Sequence, residues 1–263
     1  MDFEQYRFVA SISCKRVRGW IHFIVKCSIH YFICLTSQFH GFVLLHLSTE
    51  GALSKPRTTH RLDSATGGLL VIAKTHESET KMNQMFEMKL CKKRYRAIVF
   101  GKINLNQHDF TELSTQDTDK EFEGLGIIHA CIGDKLSLTR YRIISYTPCN
   151  HPLANGFVTT VDLWPVTGRT HQLRKHLQMI GHPIWGDLRY ASYDKDERDS
   201  IRTNKDLNVP IREYPHSRMC LWALEICFPH PVKSDQFVKA VLDEPDFYNE
   251  LRETLISNYN GIN

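Results

Sequence analysis

The protein has 263 residues, of which 42% are hydrophobic and 24% are charged. This length suits one substantial domain or two small ones, and the composition excludes a disordered, collagen-like or low-complexity chain. The 33 basic and 29 acidic residues leave a formal net charge of +4, an excess too small to indicate a polyanionic partner by itself. The distribution of the charges along the chain is therefore more informative than their sum.

The eight cysteines form no pattern that is typical of a metal site or of a disulfide framework. They include no CxxC pair, and the chain is longer than the small secreted domains that disulfides stabilise. We predict that they are mostly reduced, buried and inert. The sequence specifies no compartment more closely than an intracellular one, in the cytoplasm or an organelle.

The apolar run at residues 20–35 resembles a membrane segment at first sight. It is shorter than the roughly 20 apolar residues that a span requires, and it contains Lys26 and His30. Basic residues precede it, as in a targeting peptide, but Asp2 and Glu4 argue against one. We predict a buried strand pair here and no membrane association.

The rest of the chain predicts short strands with few helices. Thr75 is placed as the N-cap of a helix whose apolar stripe is Met82, Met85, Phe86 and Leu90. A second helix is predicted from His171 to Ile180, ended by Gly181. Strands are predicted at 69–73, 95–101, 136–146, 157–163 and 221–228, and solvated connections at 107–123 and 194–206.

The order of these elements indicates the fold class. We find no internal repeat and no linker rich in proline, glycine or serine. The sparse helices argue against a doubly wound parallel sheet. The sequence therefore predicts a single α+β domain with a mixed, largely antiparallel sheet.

The signatures of common enzyme classes are missing, because the chain has no GxGxxG, GxxxxGK[ST], HExxH or GxSxG. What remains is Asp63, in the loop at 60–68 (HRLDSATGG) directly before a buried strand, where a scaffold often presents reactive groups. A carboxylate in such a loop can be a nucleophile, a base or a turn cap. The residues alone favour the turn cap.

Basic residues concentrate in two stretches, which suit contacts with a phosphate backbone, and Tyr95 lies within the first, where a base can stack on it. The alternative is that the lysines solvate a helix end and that Tyr95 belongs to the core. The first stretch contains Lys89, Lys92, Lys93, Arg94 and Arg96, and the second contains Arg169, His171, Arg174, Lys175 and His176.

Several motifs in this order are similar to those of the RluA-like family of RNA pseudouridine synthases. They are the HRLD and TGGLL motifs at 60–63 and 66–70, the segment 93–101, GRTHQLR at 168–174 and GHPI at 181–184. Leu221-Trp222-Ala223 and His230-Pro231 also fit. The resemblance covers about residues 55–235 and rests on several separate motifs.

The resemblance implies a role for each matching residue. Asp63 would attack the target uridine so that the base detaches, rotates and rejoins through carbon, and Arg61 would help to displace the base from its stack. Tyr95 would pack on the uracil ring, Arg169 would pair with the aspartate, and Leu221 would line the apolar part of the pocket. The implied enzyme has a central catalytic cleft, acts on ribosomal or transfer RNA, and needs neither a cofactor nor a metal.

The chain also departs from the family pattern. Gly67 stands where the family usually has serine, and Trp222 where it usually has histidine. Only a distorted trace of the family's early strands precedes the aspartate. We therefore divide the chain into an atypical amino-terminal segment, 1–54, which has either diverged or arises from a faulty start, and a catalytic domain, 55–263.

Three hypotheses follow for the function. The first is an enzyme that isomerises uridine to pseudouridine in structured RNA. The second is a catalytically impaired RNA-binding protein that retains the synthase fold. The third, a glycosidase-like hydrolase, needs a second carboxylate, for which Asp162 and Asp187 are candidates that no spacing supports. The target uridine, the oligomeric state and the carbon that Asp63 attacks stay open.

Overall fold

The computed structural model describes residues 14–17, 20–27, 31–36, 52–104, 125–193, 218–231 and 235–261. The strands are β1 (Cys14–Val17), β2 (Trp20–Cys27), β3 (Tyr31–Thr36), β4 (Ala52–Thr58), β5 (Gly67–Thr75), β6 (Lys92–Phe100), β7 (Gly126–Ile132), β8 (Lys135–Cys149), β9 (Gly156–Pro165), β10 (Leu221–Pro229) and β11 (Phe237–Val241). The helices are α1 (His76–Glu87), α2 (Gln172–Met179) and α3 (Asp246–Asn260). The predicted connections at 107–123 and 194–206 lie outside the described residues.

The chain forms two compact units, which are considered separately. The first comprises Met1–Lys93 and Ala223–Asp243, and the second comprises Arg94–Trp222 and Glu244–Asn263. Within the described residues, no helix is long and apolar enough to cross a membrane. The predicted strand pair at 20–35 is confirmed, because β2 and β3 pair antiparallel.

The first unit is built around β5, whose nine residues are all buried. Strands β3 and β4 both pair antiparallel with β5, and β11 pairs antiparallel with β10. One face of β5 contributes Leu69 and Val71 to an apolar core that includes Met82 of α1 and Phe228 of β10. A strand that is buried along its whole length reads as a continuous apolar run, which is why its sequence predicted it well.

Helix α1 begins where its sequence predicts. The Ser78 backbone N–H donates to the Thr75 hydroxyl and the Thr75 N–H donates to the Ser78 hydroxyl, both at 3.2 Å, so the first turn has reciprocal caps. Met82 is fully buried, and Met85 and Phe86 pack against the same core. The prediction is wrong for Leu90, which is 45% exposed, because the helix ends at Glu87.

The second unit contains an antiparallel sheet in the order β6-β9-β8-β7. Helix α2 packs on it with Leu173, Leu177 and Ile180 buried, as predicted. Helix α3 was not predicted, although its buried Phe247, Tyr248, Leu251 and Leu255 have helical spacing. The sparse helices beside this sheet confirm the α+β prediction.

Candidate active site

The loop that carries Asp63 is fastened along β5. The backbone N–H and the hydroxyl of Thr59 both donate to the Val71 carbonyl, at 3.2 and 3.1 Å. The Val71 N–H donates to Nε2 of His60 at 3.1 Å. Leu62 packs against Leu70 and Ile72, on the side of β5 away from the main core. Thr59 and His60 before Arg61 and Leu62 after it all make contacts with β5. The polar side chains of the loop therefore project from a fixed backbone.

Asp63 occupies the start of a tight turn. Its carbonyl accepts a hydrogen bond from the Thr66 N–H at 2.9 Å, and its side chain is half-buried, whereas Arg61 is exposed. Gly68 follows with a φ of +112°, and a Cβ there would lie 2.3 Å from the Ala223 carbonyl oxygen. The turn that carries Asp63 therefore leads into a place where only glycine fits between two backbones.

His60 is a partly buried structural residue to which the sequence assigned no role. Burial, assisted by the positive charge of Lys93, lowers the pKa of His60 to about 3. The ring is thus neutral near pH 7, which allows Nε2 to accept the Val71 N–H. Its centroid also lies 5.0 Å from that of Phe86. The sequence feature that could have indicated this structural role is the position of His60 as the first residue of the HRLD motif.

The second unit holds Arg169 in a loop before α2. The Arg169 side chain is exposed, and its backbone N–H donates to the side-chain oxygen of Gln172 at 3.0 Å. The Thr167 hydroxyl donates to the same oxygen at 2.7 Å. The Gln172 amide nitrogen donates to the Leu138 carbonyl and to the Thr139 hydroxyl, at 2.9 and 3.0 Å. All four hydrogen-bonding positions of this buried amide are filled.

The start of α2 is also fixed by His171 and Tyr190. His171 has a φ of +55°, which is unusual for a residue other than glycine, and its Nδ1 lies 2.9 Å from the Tyr190 hydroxyl. The Arg174 guanidinium binds both oxygens of Asp187 at 2.7 Å and lies 4.9 Å from the centroid of the Tyr190 ring. Arg174 belongs to the second basic stretch, and its contacts with Asp187 and Tyr190 are structural.

Tyr95 lies on β6 between two arginines that bind one carboxylate. Tyr95 is 7% exposed and stands opposite Leu163 of β9. Arg96 binds Asp162 through two hydrogen bonds, at 2.7 and 3.0 Å, and Arg94 binds the same carboxylate at 3.0 Å. Successive side chains of a strand point to opposite faces, so this ion-pair cluster lies on the face of β6 opposite to Tyr95.

The two basic stretches therefore separate into cations that are ion-paired or buried and cations that are exposed. Arg94, Arg96 and Arg174 bind carboxylates, and His176 is buried with a pKa lowered to about 4, mainly by burial. Lys89, Lys92 and Arg169 are exposed.

The structure also places Leu221 and the two candidate carboxylates of the hydrolase hypothesis. Leu221 is 3% exposed at the first position of β10, and its backbone N–H donates to the Met219 carbonyl at 2.9 Å. Asp162 and Asp187, the carboxylates that a hydrolase would need, are each bound by arginine side chains. These ion pairs favour a structural role for both and remove the support for the hydrolase hypothesis.

The described residues offer little to a metal ion. No group of three or more histidine, cysteine, aspartate or glutamate side chains in these segments is arranged to hold one. Cys91, Cys131, Cys149, Cys220 and Cys227 are free, and Cys149 and Cys220 are buried as predicted. Cys131 differs, because it lies exposed on β7.

Comparisons with known proteins give a consistent picture. The model of a family described as RNA pseudouridylate synthase matches residues 35–179, which is more than half of the chain and includes Asp63, Tyr95 and Arg169. A solved structure titled Human RNA Pseudouridylate Synthase Domain Containing 4 superimposes with a TM-score of 0.58. It is 17% identical and covers 88% of this chain and 92% of its own. At this identity the likeness supports the fold alone.

Two curated bacterial relatives are similar in sequence. Ribosomal large subunit pseudouridine synthase D of Zymomonas mobilis is 32% identical over 190 residues, which are 72% of this chain and 53% of the relative. Dual-specificity RNA pseudouridine synthase RluA of Haemophilus influenzae is 30% identical over 199 residues, 75% of this chain and 77% of the relative. The chain thus matches only about half the length of the first relative.

Proposed function

Since this chain belongs to the RNA pseudouridylate synthase family, we propose that it isomerises uridine to pseudouridine in structured RNA, ribosomal or transfer, with Asp63 as the catalytic residue. The observation that carries the proposal is the anchored loop: His60 and Thr59 fasten it to Val71, and Leu62 fastens it to Leu70 and Ile72. A side chain that must meet a reacting atom needs a fixed backbone, because small misplacements are costly in rate.

The reaction requires only groups that this chain can supply. The bond from N1 of uracil to C1′ of ribose breaks, and a bond from C5 to C1′ forms, while the proton of C5 is lost and N1 gains one. Atoms and electrons balance within the nucleotide, so no oxidant, reductant or cofactor is consumed. Asp63 assists by adding to the nucleotide while the base turns, and the target base must first leave its stack.

The roles that the resemblance implies for other residues remain predictions. Arg61 is exposed in the same loop, as a residue that meets RNA must be. The buried Tyr95 and Leu221 have the low exposure that suits walls of an apolar site. Arg169 is exposed on a loop that Gln172 fixes. These properties are compatible with base displacement by Arg61, uracil packing by Tyr95 and Leu221, and charge pairing by Arg169.

The test compares wild type with Asp63→Asn on unmodified transcripts of ribosomal and transfer RNA. We expect pseudouridine, detected by mass spectrometry of nuclease digests, to fall by about a thousandfold or more in the variant, because the carboxylate nucleophile is lost. Ser64→Ala, at the next and exposed position of the loop, is the matched control and should stay within about threefold of wild type.

Three outcomes would contradict the proposal. Activity of Asp63→Asn close to that of wild type would remove Asp63 from the chemistry. Tight RNA binding by wild type without pseudouridine on any transcript would favour the catalytically impaired RNA-binding protein instead. Release of free uracil would indicate hydrolysis.

A further inference from the structure

Arg189 lies outside both basic stretches, in a turn that Asp187 holds together. The backbone N–H groups of Arg189 and Tyr190 donate to Oδ1 of Asp187, at 3.0 and 3.2 Å. Asp187 is 1% exposed, and its two oxygens also accept from the Arg174 guanidinium, each at 2.7 Å. The carboxylate beside Arg189 is therefore already bound by another arginine and by the backbone of its own turn.

The Arg189 side chain is exposed and lies against an aromatic ring. Its guanidinium carbon lies 5.7 Å from the centroid of the Tyr190 ring, within the range of a cation–π contact. None of the ion pairs within the described segments involves Arg189, because the neighbouring Asp187 is bound by Arg174. The ring thus supports a guanidinium whose charge the adjacent acid does not neutralise.

Helix α2 lies on the same face of the sheet as the Tyr95 side chain. Tyr95 of β6 stands opposite Leu163 of β9, and Leu163 stands opposite Tyr141 of β8. Directly paired residues share a face, as do residues two positions apart on one strand, so Thr139 shares the face of Tyr95. Gln172 of α2 donates to the Thr139 hydroxyl at 3.0 Å. The first turn of α2 therefore lies over the face that carries Tyr95.

The Tyr190 ring connects Arg189 to this first turn. The centroid of the His171 ring lies 5.7 Å from that of Tyr190, and Nδ1 of His171 lies 2.9 Å from the Tyr190 hydroxyl. The exposed Arg169 precedes His171 by two residues, so their Cα atoms are at most about 7 Å apart. Arg169 and Arg189 are thus two exposed arginines beside the start of α2, on the side of the sheet that carries Tyr95.

We infer that Arg189 binds a backbone phosphate of the RNA substrate, at a nucleotide that flanks the target uridine. The inference rests on the proposed function, since it takes RNA to be the ligand that Tyr95 and Arg169 contact. A guanidinium that lies against a ring still presents N–H groups at its edge, and these match the oxygens of a phosphate. The alternative is a guanidinium that only covers the Tyr190 ring, which predicts no effect on RNA affinity.

Binding can be measured apart from turnover, in the Asp63→Asn background. The probe is a fluorescein-labelled RNA hairpin with a uridine-rich loop, titrated by fluorescence anisotropy at several salt concentrations. We expect Arg189→Gln to weaken binding about tenfold and to reduce the salt slope by about one, because one phosphate contact is lost. Arg189→Lys keeps the charge but lacks the planar edge, and it should weaken binding only about threefold.

Lys239→Gln is the matched control, because Lys239 is an exposed strand lysine of the first unit that pairs with Glu225. It makes the same change in net charge, and its binding should stay within about twofold of the parent. Equal weakening by Arg189→Gln and Lys239→Gln, or no weakening by either, would overturn the inference. Arg189→Gln keeps the backbone N–H that donates to Asp187, so the turn retains its hydrogen bonds.

A neutral linkage in the RNA identifies the phosphate that Arg189 contacts. A methylphosphonate, placed at one linkage of the hairpin loop at a time, removes the charge of a single phosphate. At the contacted linkage it should weaken binding by the parent about tenfold and binding by Arg189→Gln less than about twofold, because the contact is already absent from the variant. Equal weakening of both proteins at every linkage would contradict the inference.

A kinetic measurement separates this inference from the proposed function. In the active protein, Arg189→Gln should raise KM about tenfold and leave kcat at saturating RNA within about twofold, because a flanking contact is made equally in the ground and transition states. A fall in kcat with unchanged KM would count against the inference. If wild type makes no pseudouridine, the proposed function fails, yet the binding comparison still decides whether Arg189 contacts RNA.

Discussion

The side-chain oxygen of Gln172 accepts a hydrogen bond from the backbone N–H of Arg169 at 3.0 Å. The other hydrogen bonds of the same amide reach Thr167, Leu138 and Thr139. Gln172 is only 4% exposed, so these bonds are shielded from water and their loss is costly. One buried amide therefore fixes the backbone of Arg169, the arginine proposed to pair with Asp63, to the neighbouring strand.

Replacing Gln172 with glutamate should destabilise the protein and loosen this loop. The carboxylate retains an acceptor but loses both amide donors, and it places a buried charge beside the Leu138 carbonyl. We expect the free energy of unfolding, from urea titration, to fall by about 2–4 kcal/mol. Gln178→Glu makes the same change at an exposed position of α2 and should stay within about 0.5 kcal/mol of wild type. Equal effects of the two changes would show that the four hydrogen bonds are unimportant.

The carboxylate that Arg94 and Arg96 share should be essential to the packing of β6. Asp162 is 5% exposed and holds both guanidinium groups, so Asp162→Asn leaves two positive charges close together. We expect a loss of about 2–4 kcal/mol in the free energy of unfolding. Asp243→Asn, at an exposed position, is the control. The prediction fails if denaturant titrations give both variants the stability of wild type.

The close approach at the start of β5 should make Gly68 intolerant of any side chain. A Cβ at this position meets the Ala223 carbonyl oxygen at 2.3 Å, whereas at Gly133, which also has a positive φ, it meets nothing within 4 Å. Gly68→Ala should therefore cost about 3 kcal/mol or more, and Gly133→Ala only about 1 kcal/mol of backbone strain. Thermal unfolding of both variants measures the difference, and similar midpoints would refute the predicted clash.

Acid should destabilise the folded state through His60 and His176, whose pKa values are lowered mainly by burial. The folded pKa is about 3 for His60 and about 4 for His176, against 6.5 in the unfolded chain. Above pH 6.5 both histidines are neutral in the folded and in the unfolded state, so neither makes the free energy of unfolding depend on pH. Between pH 6.5 and 4 the unfolded chain binds more protons, so stability falls, by at most about 1.4 kcal/mol per pH unit for each histidine.

The substitution His60→Gln tests this pH dependence. It removes the titrating group and should flatten the loss of stability between pH 6.5 and 4, although it lowers stability at pH 8, where the buried ring is neutral. His76→Gln, on the exposed start of α1, should leave the slope as in wild type. Urea titrations at half-unit pH intervals give the slope of the free energy of unfolding against pH. An unchanged slope in His60→Gln would show that the burial of His60 does not cause the loss of stability in acid.

Elements with a strong local signal were predictable from sequence. Strand β5 is a continuous apolar run, and Thr75 caps α1, as is expected of a threonine before acidic residues. The end of α1 was less predictable, because whether Leu90 is buried depends on where the helix stops. Helix α3 was missed although its apolar spacing is helical.

The sequence by itself determined the family resemblance, the α+β class and the candidates Asp63, Tyr95 and Arg169, because motifs are local and strand patterns follow from burial. Only the tertiary structure decided which charged residues are held in ion pairs. Arg94, Arg96 and Arg174 resemble Arg169 in the sequence, but the fold places them against Asp162 and Asp187. Strand register and helix packing decide which arginine meets an acid. They bring together residues as far apart in the sequence as Arg96 and Asp162, and no local sequence pattern encodes such a pairing.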